Sequence, residues 1–240
     1  MGMLKPERIG FEDFADQPVS ICGRALVAHK FGALYWPGEK ALIVADLHLE
    51  KGSSFAAHGQ MLPPYDTRET LSKLALLIDH YQPETVIALG DSLHDRDAGT
   101  RMDPHDRETL HILQEDRDWI WITGNHDPEI DGSFAGYVIP EVTVAGITLR
   151  HAPHAGAATH EIAGHFHPAA RLVLNGTSLR RPCFVGNGRR LIVPAFGAYT
   201  GGLNILDVAF EPLFGGDGMS VWMLGHEGLY PIAPRLLRGD

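Results

Sequence analysis

The stretch Ala41-Leu42-Ile43-Val44-Ala45-Asp46-Leu47-His48 decides the fold. Its first four residues are apolar, follow the punctuation Pro37-Gly38, and read as a buried strand. Asp46 and His48 come where that strand runs out into a loop, the edge of a parallel sheet at which ligands collect. Side chains at i and i+2 point to one side of an extended chain, so a carboxylate and an imidazole are offered together to one metal ion. Asp-x-His carries little meaning alone, and later segments of the chain have to supply the remaining ligands.

Working outward, 24–28 and 33–36 read as short strands leading into 41–44, and the segment up to Gly59 as a short helix or an ordered loop. Asp66 or Thr67 can cap a helix running to Tyr81, with Leu71, Leu74, Ala75 and Ile78 on one face. Thr85 to Leu89 is a second buried strand ending at Gly90-Asp91, so the chain makes a β-α-β unit with a parallel strand pair. The pattern repeats, with a helix over 106–114 and a strand over 119–122 that delivers Gly124-Asn125-His126-Asp127. From Tyr137 the texture changes to short strands, among them 142–144 and 147–150. His151 follows the latter, and 161–163 delivers Gly164-His165-Phe166-His167-Pro168. Hairpins are expected over 170–174, 181–185 and 190–193, with a turn at Gly186-Asn187-Gly188. Late strands are expected at 203–208 and 221–224, and a turn at Gly215-Gly216-Asp217-Gly218.

A chain of 240 residues is long enough for one well-buried core, and a single domain over 1–240 is expected. No apolar run approaches the length of a membrane span, and Met1 to Phe14 has no apolar core of a signal peptide. With only Cys22 and Cys183, far apart, a reduced cytoplasmic protein is expected. A net charge of −10 argues against a protein that coats duplex DNA. The charge is uneven, however. No Asp or Glu falls between Ile162 and Leu206, where Arg171, Arg180, Arg181, Arg189 and Arg190 all lie, and 169–209 is the basic hairpin region.

Five strand ends now present polar groups: Asp46 with His48, Asp91, Asn125 with His126, His151, and His165 with His167. Each has a bland reading of its own: a Gly-Asp turn, a helix cap, a packed histidine. Together, carboxylate, imidazole and amide oxygen suit Mn, Fe or Zn, and the absence of thiolate argues against a structural zinc site. Seven ligands are too many for one catalytic ion, but suit two ions bridged by one carboxylate.

In order, these five blocks within 41–168 resemble the signature motifs of the calcineurin-like metallophosphoesterases. The resemblance implies an α/β fold of four layers, an α-β-β-α sandwich with two mixed β-sheets flanked by helices. It implies that Asp46, His48, Asp91 and His167 hold one divalent ion, that Asp91, Asn125, His151 and His165 hold the other, and that His126 faces the scissile phosphate. Asp46-Leu-His-Leu-Glu-Lys51 and Pro194-Ala-Phe-Gly-Ala-Tyr-Thr-Gly-Gly202 are similar to the bacterial ligase-associated DNA damage response endonucleases. That narrower likeness implies a manganese-dependent phosphodiesterase. It implies a DNA endonuclease in repair beside a DNA ligase, a helicase and an exonuclease; two ions would supply a metal-bridging hydroxide for the attack, and the few cations of the hairpin region favour single-stranded or flexible DNA. Small-molecule phosphodiesterase or phosphomonoesterase activity is the alternative, and a non-catalytic scaffold of the same fold a more distant one. The wider superfamily often has Asp three residues after the bridging Asp, orienting the catalytic histidine. Here that position is His94, with Asp95 next, so both are candidates to orient His126. Arg181, Arg189 and Tyr199 are candidates to bind substrate, the arginines from a hairpin groove and the tyrosine by stacking on a base.

Overall fold

The computed structural model describes residues 16–130, 132, 134–156, 160–214 and 218–240. The N-terminal residues considered for a signal sequence, and residues 215–217 of the turn expected over 215–218, lie outside them. Strands β1 (Asp16–Ile21), β2 (Arg24–His29), β3 (Leu34–Trp36), β4 (Ala41–Val44), β5 (Thr85–Leu89), β6 (Asp118–Ile122) and β7 (Tyr137–Ile139) form one sheet in chain order. The first four make an antiparallel meander, and β4 to β7 run parallel. Helices α1 (Lys51–Ala57) and α2 (Asp66–Tyr81) cross from β4 to β5, and α3 (Ala98–Arg101) and α4 (Pro104–Gln114) from β5 to β6.

The parallel strands are apolar on both faces because both faces are covered. Leu42, Val44, Val86, Ala88, Trp119 and Trp121 point to the helices and pack with Leu71, Leu74, Leu110 and Leu113. Their neighbours Ile43, Ala45, Ile87, Leu89 and Ile122 point the other way, onto Ile147, Leu149, Ile162, Phe184 and Val193 of a second sheet. That sheet holds β8 (Glu141–Val144), β9 (Ile147–Arg150), β10 (Glu161–Ala163), β11 (Pro168–Leu174), β12 (Thr177–Gly186), β13 (Arg190–Ile192), β14 (Leu203–Asn204), β15 (Ser220–Leu224) and β16 (Leu229–Ile232). Its order is β14-β11-β12-β13-β10-β9-β8, with β15 and β16 continuing from β12. It too is mixed: β9, β10 and β13 are parallel neighbours, while β8/β9, β11/β12 and β12/β15 are antiparallel. Its outer face is covered by Phe210, Leu213 and Phe214, so this helical layer shrinks to α5 (Glu211–Phe214) and short turns. The result is an α/β sandwich of two mixed sheets with few helices.

Several boundaries differ from the sequence reading. The segment to Gly59 is the short helix α1. The strand expected over 203–208 stops at Asn204, because the Asp207 carboxylate accepts the Ala209 N–H at 2.9 Å and starts a 3-10 turn. β12 begins at Thr177 because Asn175-Gly176, both left-handed, closes the β11–β12 hairpin in two residues. β1 and β16 were not expected. β1 carries Pro18 and alternating polar residues, which an edge strand tolerates. Among the described residues no helix is long and apolar enough to cross a membrane.

Candidate metal centre

Each candidate ligand block sits where a parallel strand ends. β4 releases Asp46 and His48, β5 releases Asp91, β6 leads to Asn125 and His126, β9 releases His151, and β10 leads to His165 and His167. The loops stay zipped beyond the strands: Asp46 N donates to Gly90 O (3.2 Å), His48 N to Asp91 O (2.9 Å) and Gly164 N to His151 O (3.0 Å). Asp46, His48, Asp91, His165 and His167 all have left-handed backbones, with φ of 52°, 45°, 46°, 70° and 45°. Such conformations cost roughly 1–3 kcal/mol each in a non-glycine residue and persist only where the surroundings over-determine them. Close packing leaves no room at the intervening glycines. A Cβ on Gly124 would lie 2.1 Å from Asp91 Oδ1, and one on Gly197 would lie 2.3 Å from Leu47 O. The second contact explains the block around Phe196. Its N–H groups at 196 and 197 donate to Ala45 O and Asp46 O, clamping the first ligand loop from behind.

The candidate ligands converge in two groups, Asp46 with His48 and His167, and Asp91 with His151 and His165, each with ligand atoms within 4.8 Å of one another, and His48 forms a third such group with His94 and His126. His48 Nε2 is 3.4 Å from His167 Nε2, which is 3.3 Å from Asp46 Oδ1. In the second group His151 Nε2 is 3.0 Å from His165 Nδ1, 2.9 Å from Asn125 Oδ1 and 3.4 Å from Asp91 Oδ1. Ligands bonded at about 2.0–2.2 Å to a tetrahedral or octahedral ion lie roughly 3–3.5 Å apart, so the donor set fits a divalent ion in each group. Asp91 stands between them, Oδ1 toward His151 and Oδ2 toward His48 at 3.9 Å. Burial keeps His48 neutral, pushing it down to about 2, with His167 and His126 adding to the effect. Burial and the neighbouring His151 also lower His165. His167 is raised, since its hydrogen bond to Asp46 and the charges of Asp46 and Asp91 outweigh its burial. Neutral imidazole is the form that binds a metal.

The partners that orient these ligands come largely from the main chain. His151 Nδ1–H donates to Leu89 O at 2.9 Å, and His165 N–H donates to the Asp46 carboxylate at 3.0 Å. His126 holds its N–H on Asp91 Oδ1 (2.9 Å), sets Nε2 4.0 Å from Asp91 Oδ2, and donates Nδ1–H to the main-chain carbonyl of His94 (2.9 Å). The His94 ring lies 5.4 Å from the His126 ring at 25°, and its Nδ1 meets His48 Nδ1 at 3.4 Å. Asp95 faces Arg101, which donates to both carboxylate oxygens at 2.8 and 2.7 Å. Asp127, fully buried, accepts from Ser92 N, Leu93 N and Gly124 N and so staples the β5 loop to the β6 loop. Burial raises its carboxyl to about 6 despite those bonds. Its role was missed in the sequence, although it completes the Gly-Asn-His-Asp block.

The candidate substrate residues are dispersed. Arg189 flanks the turn before β13, at the opposite end of β10 and β13 from the ligand loops. Arg181 lines a cavity of about 370 Å³ with Leu179, Met223 and Tyr230. Tyr199 lies near Tyr65 and the carboxylates of Asp66 and Glu69. Arg190 is fully buried, paired with Glu161, and Arg180 pairs with Asp240 at 3.2 Å.

A fold and a site of this kind define a metal-dependent phosphoesterase, a hydrolase. The family model for calcineurin-like phosphoesterases matches residues 40–173, more than half of the chain, and the chain belongs to that family. No curated protein matches it. Among solved structures it is similar to the nuclease MPE of Pseudomonas putida, at 30% identity over 90% of this chain and 100% of that one, with a TM-score of 0.69. A likeness to the E. coli phosphoesterase Yfce, at 14% identity over 83% and 96% of the two chains with a TM-score of 0.37, carries no argument.

Proposed function

We propose that the chain is a two-ion phosphodiesterase that cuts DNA, single-stranded or flexible, in a cytoplasmic repair setting, with manganese as its metal. The observation that carries the two-ion reading is Asp91, whose two oxygens face the two ligand groups. Asp46, His48, Asp91 and His167 would hold one ion, and Asp91, Asn125, His151 and His165 the other. The DNA reading is supported by the similarity to a nuclease along nearly the whole chain and by the Asp46–Lys51 and Pro194–Gly202 blocks. Those blocks also support a DNA ligase, a helicase and an exonuclease as working partners.

When bound, a pair of divalent ions lowers the pKa of a water toward neutrality and offsets charge on the phosphate. The protein's own part is positional. Asp91 accepts from the His126 main-chain N–H, and the His94 carbonyl accepts a hydrogen bond from His126 Nδ1–H, so Nε2 is turned to the site. As the imidazolium, with a second proton on Nε2, His126 can stabilise charge on the phosphate or give that proton to the leaving oxygen and remain as the neutral Nδ1–H imidazole, worth about 10²–10⁴ in rate. Circular single-stranded DNA, duplex DNA, bis-p-nitrophenyl phosphate and its monoester, offered to manganese-loaded protein, test the proposal. Cutting of the circular single strand and of the diester is expected, whereas hydrolysis confined to the monoester would make it a phosphomonoesterase.

A further inference from the structure

One wall of the site is built from side chains outside the seven candidate ligands. Phe55, on α1, has its ring 6.0 Å from that of His94 at 39°, and His94 in turn lies nearly parallel to His126. Lys51, at the start of α1, sets its ammonium 5.9 Å over the Phe55 ring. Lys51, Phe55 and His94 are partly exposed, and the His126 side chain is 42% exposed. The row therefore runs cation, benzene ring, imidazole, imidazole, and it ends at Asp91. The charge of Lys51 acts on both His48 and His94, and the opposing charge on Lys51 itself is Asp66. Arg180 and Arg190, by contrast, are engaged elsewhere by Asp240 and Glu161.

We propose that Phe55 is the stacking platform for an unpaired nucleobase beside the scissile phosphate, and that Lys51 pairs with the adjoining phosphate of the same strand. The inference rests on the DNA reading above and narrows it. An aromatic face accepts any unpaired base, but a base held in a duplex has no free face to offer. Preference for single strands then comes from the wall of the site and needs no long basic track, as befits a chain of net charge −10.

Binding of a fluorescent oligothymidylate, and of the same strand made abasic, is measured by anisotropy with calcium in place of manganese. Single-turnover cleavage with manganese runs beside it. Phe55→Leu keeps apolar bulk without the ring and should weaken binding of the normal strand about tenfold. Phe55→Trp should restore it, and the abasic strand should bind wild type and Phe55→Leu alike. Lys51→Gln should flatten the salt dependence of binding by about one phosphate contact. Equal binding of the normal strand by wild type and Phe55→Leu overturns the stacking assignment, as does an equal loss on the abasic strand. An unchanged salt slope overturns the part given to Lys51. If wild type itself neither binds nor cuts single-stranded DNA, it is the DNA reading that fails, and this inference with it.

Discussion

His94 enters the site twice, by its carbonyl and by its ring. The carbonyl accepts from His126 Nδ1, a task any residue at 94 can perform, whereas the ring is the Nδ1 neighbour of His48. His94→Ala should therefore leave the shape of the pH–rate profile intact while weakening manganese binding by about 10–100-fold, as when an orienting partner of a ligand is lost. Manganese titration beside the pH–rate profile separates these effects, and loss of the histidine limb without loss of metal would give the ring, not the carbonyl, the orienting role. Asp95→Asn breaks a partly buried pair with Arg101 and should shift stability by less than about 1 kcal/mol, with no change in the pH profile of cleavage. At this scale the seven candidate ligands could be picked from the sequence, because carboxylate, amide and imidazole at strand ends are distinctive types in distinctive places. Their orienting partners could not. Leu89 holds His151 through a main-chain oxygen, which every residue carries, and His94, a candidate in the sequence to orient His126, holds it through its carbonyl and not its ring.

Strand β13 shows what an arginine pair in the sequence can conceal. Arg190 is fully buried and donates to Glu161 and to the carbonyls of Leu213 and His154, tying β10, α5 and the loop after His151 into one unit. Arg190→Ala leaves the buried Glu161 charge with only Arg150, 3.7 Å away, and should cost about 3–5 kcal/mol in urea unfolding, and Arg190→Met with Glu161→Gln should recover much of that loss. Arg189 stands beside it but in solvent, at the strand end remote from the ligands. Arg189→Ala should leave KM for single-stranded DNA unchanged, and a rise in KM would place the substrate along β13 after all. The strand and helix cores of the first sheet were legible because both faces of each strand are covered, giving short apolar runs. β13 and its neighbours were legible as hairpins but not by function, since an ion pair that crosses from β13 to β10 leaves no local pattern. The Asn175-Gly176 turn was legible in principle as a two-residue hairpin signal.

Across the whole molecule, the sandwich was legible once β-α-β spacing and five ligand blocks were taken together. Its thin outer layer over the second sheet was not, because α5 is only four residues long. Packing between the distant N-terminal meander and α2 also has a consequence for pH. His29 lies against Phe31 and Tyr81, and burial pushes its pKa down to about 4, with Asp16 opposing. The unfolded chain then binds the extra proton between about pH 6.5 and 4, so this contribution is complete above about pH 6.5 and is lost as pH falls through that window. His29→Asn, which keeps an acceptor for the Phe31 N–H, should flatten the fall in urea-unfolding free energy over that range relative to wild type. The central claim is that five loops from two sheets build one two-ion site with Asp91 between the ions. Manganese bound per chain, measured by mass spectrometry for wild type and for Asp91→Ala with its folding confirmed by a cooperative urea transition, tests this most directly. The account predicts two ions in wild type and loss of the pair in Asp91→Ala, whereas two ions held by the variant at wild-type affinity would contradict it.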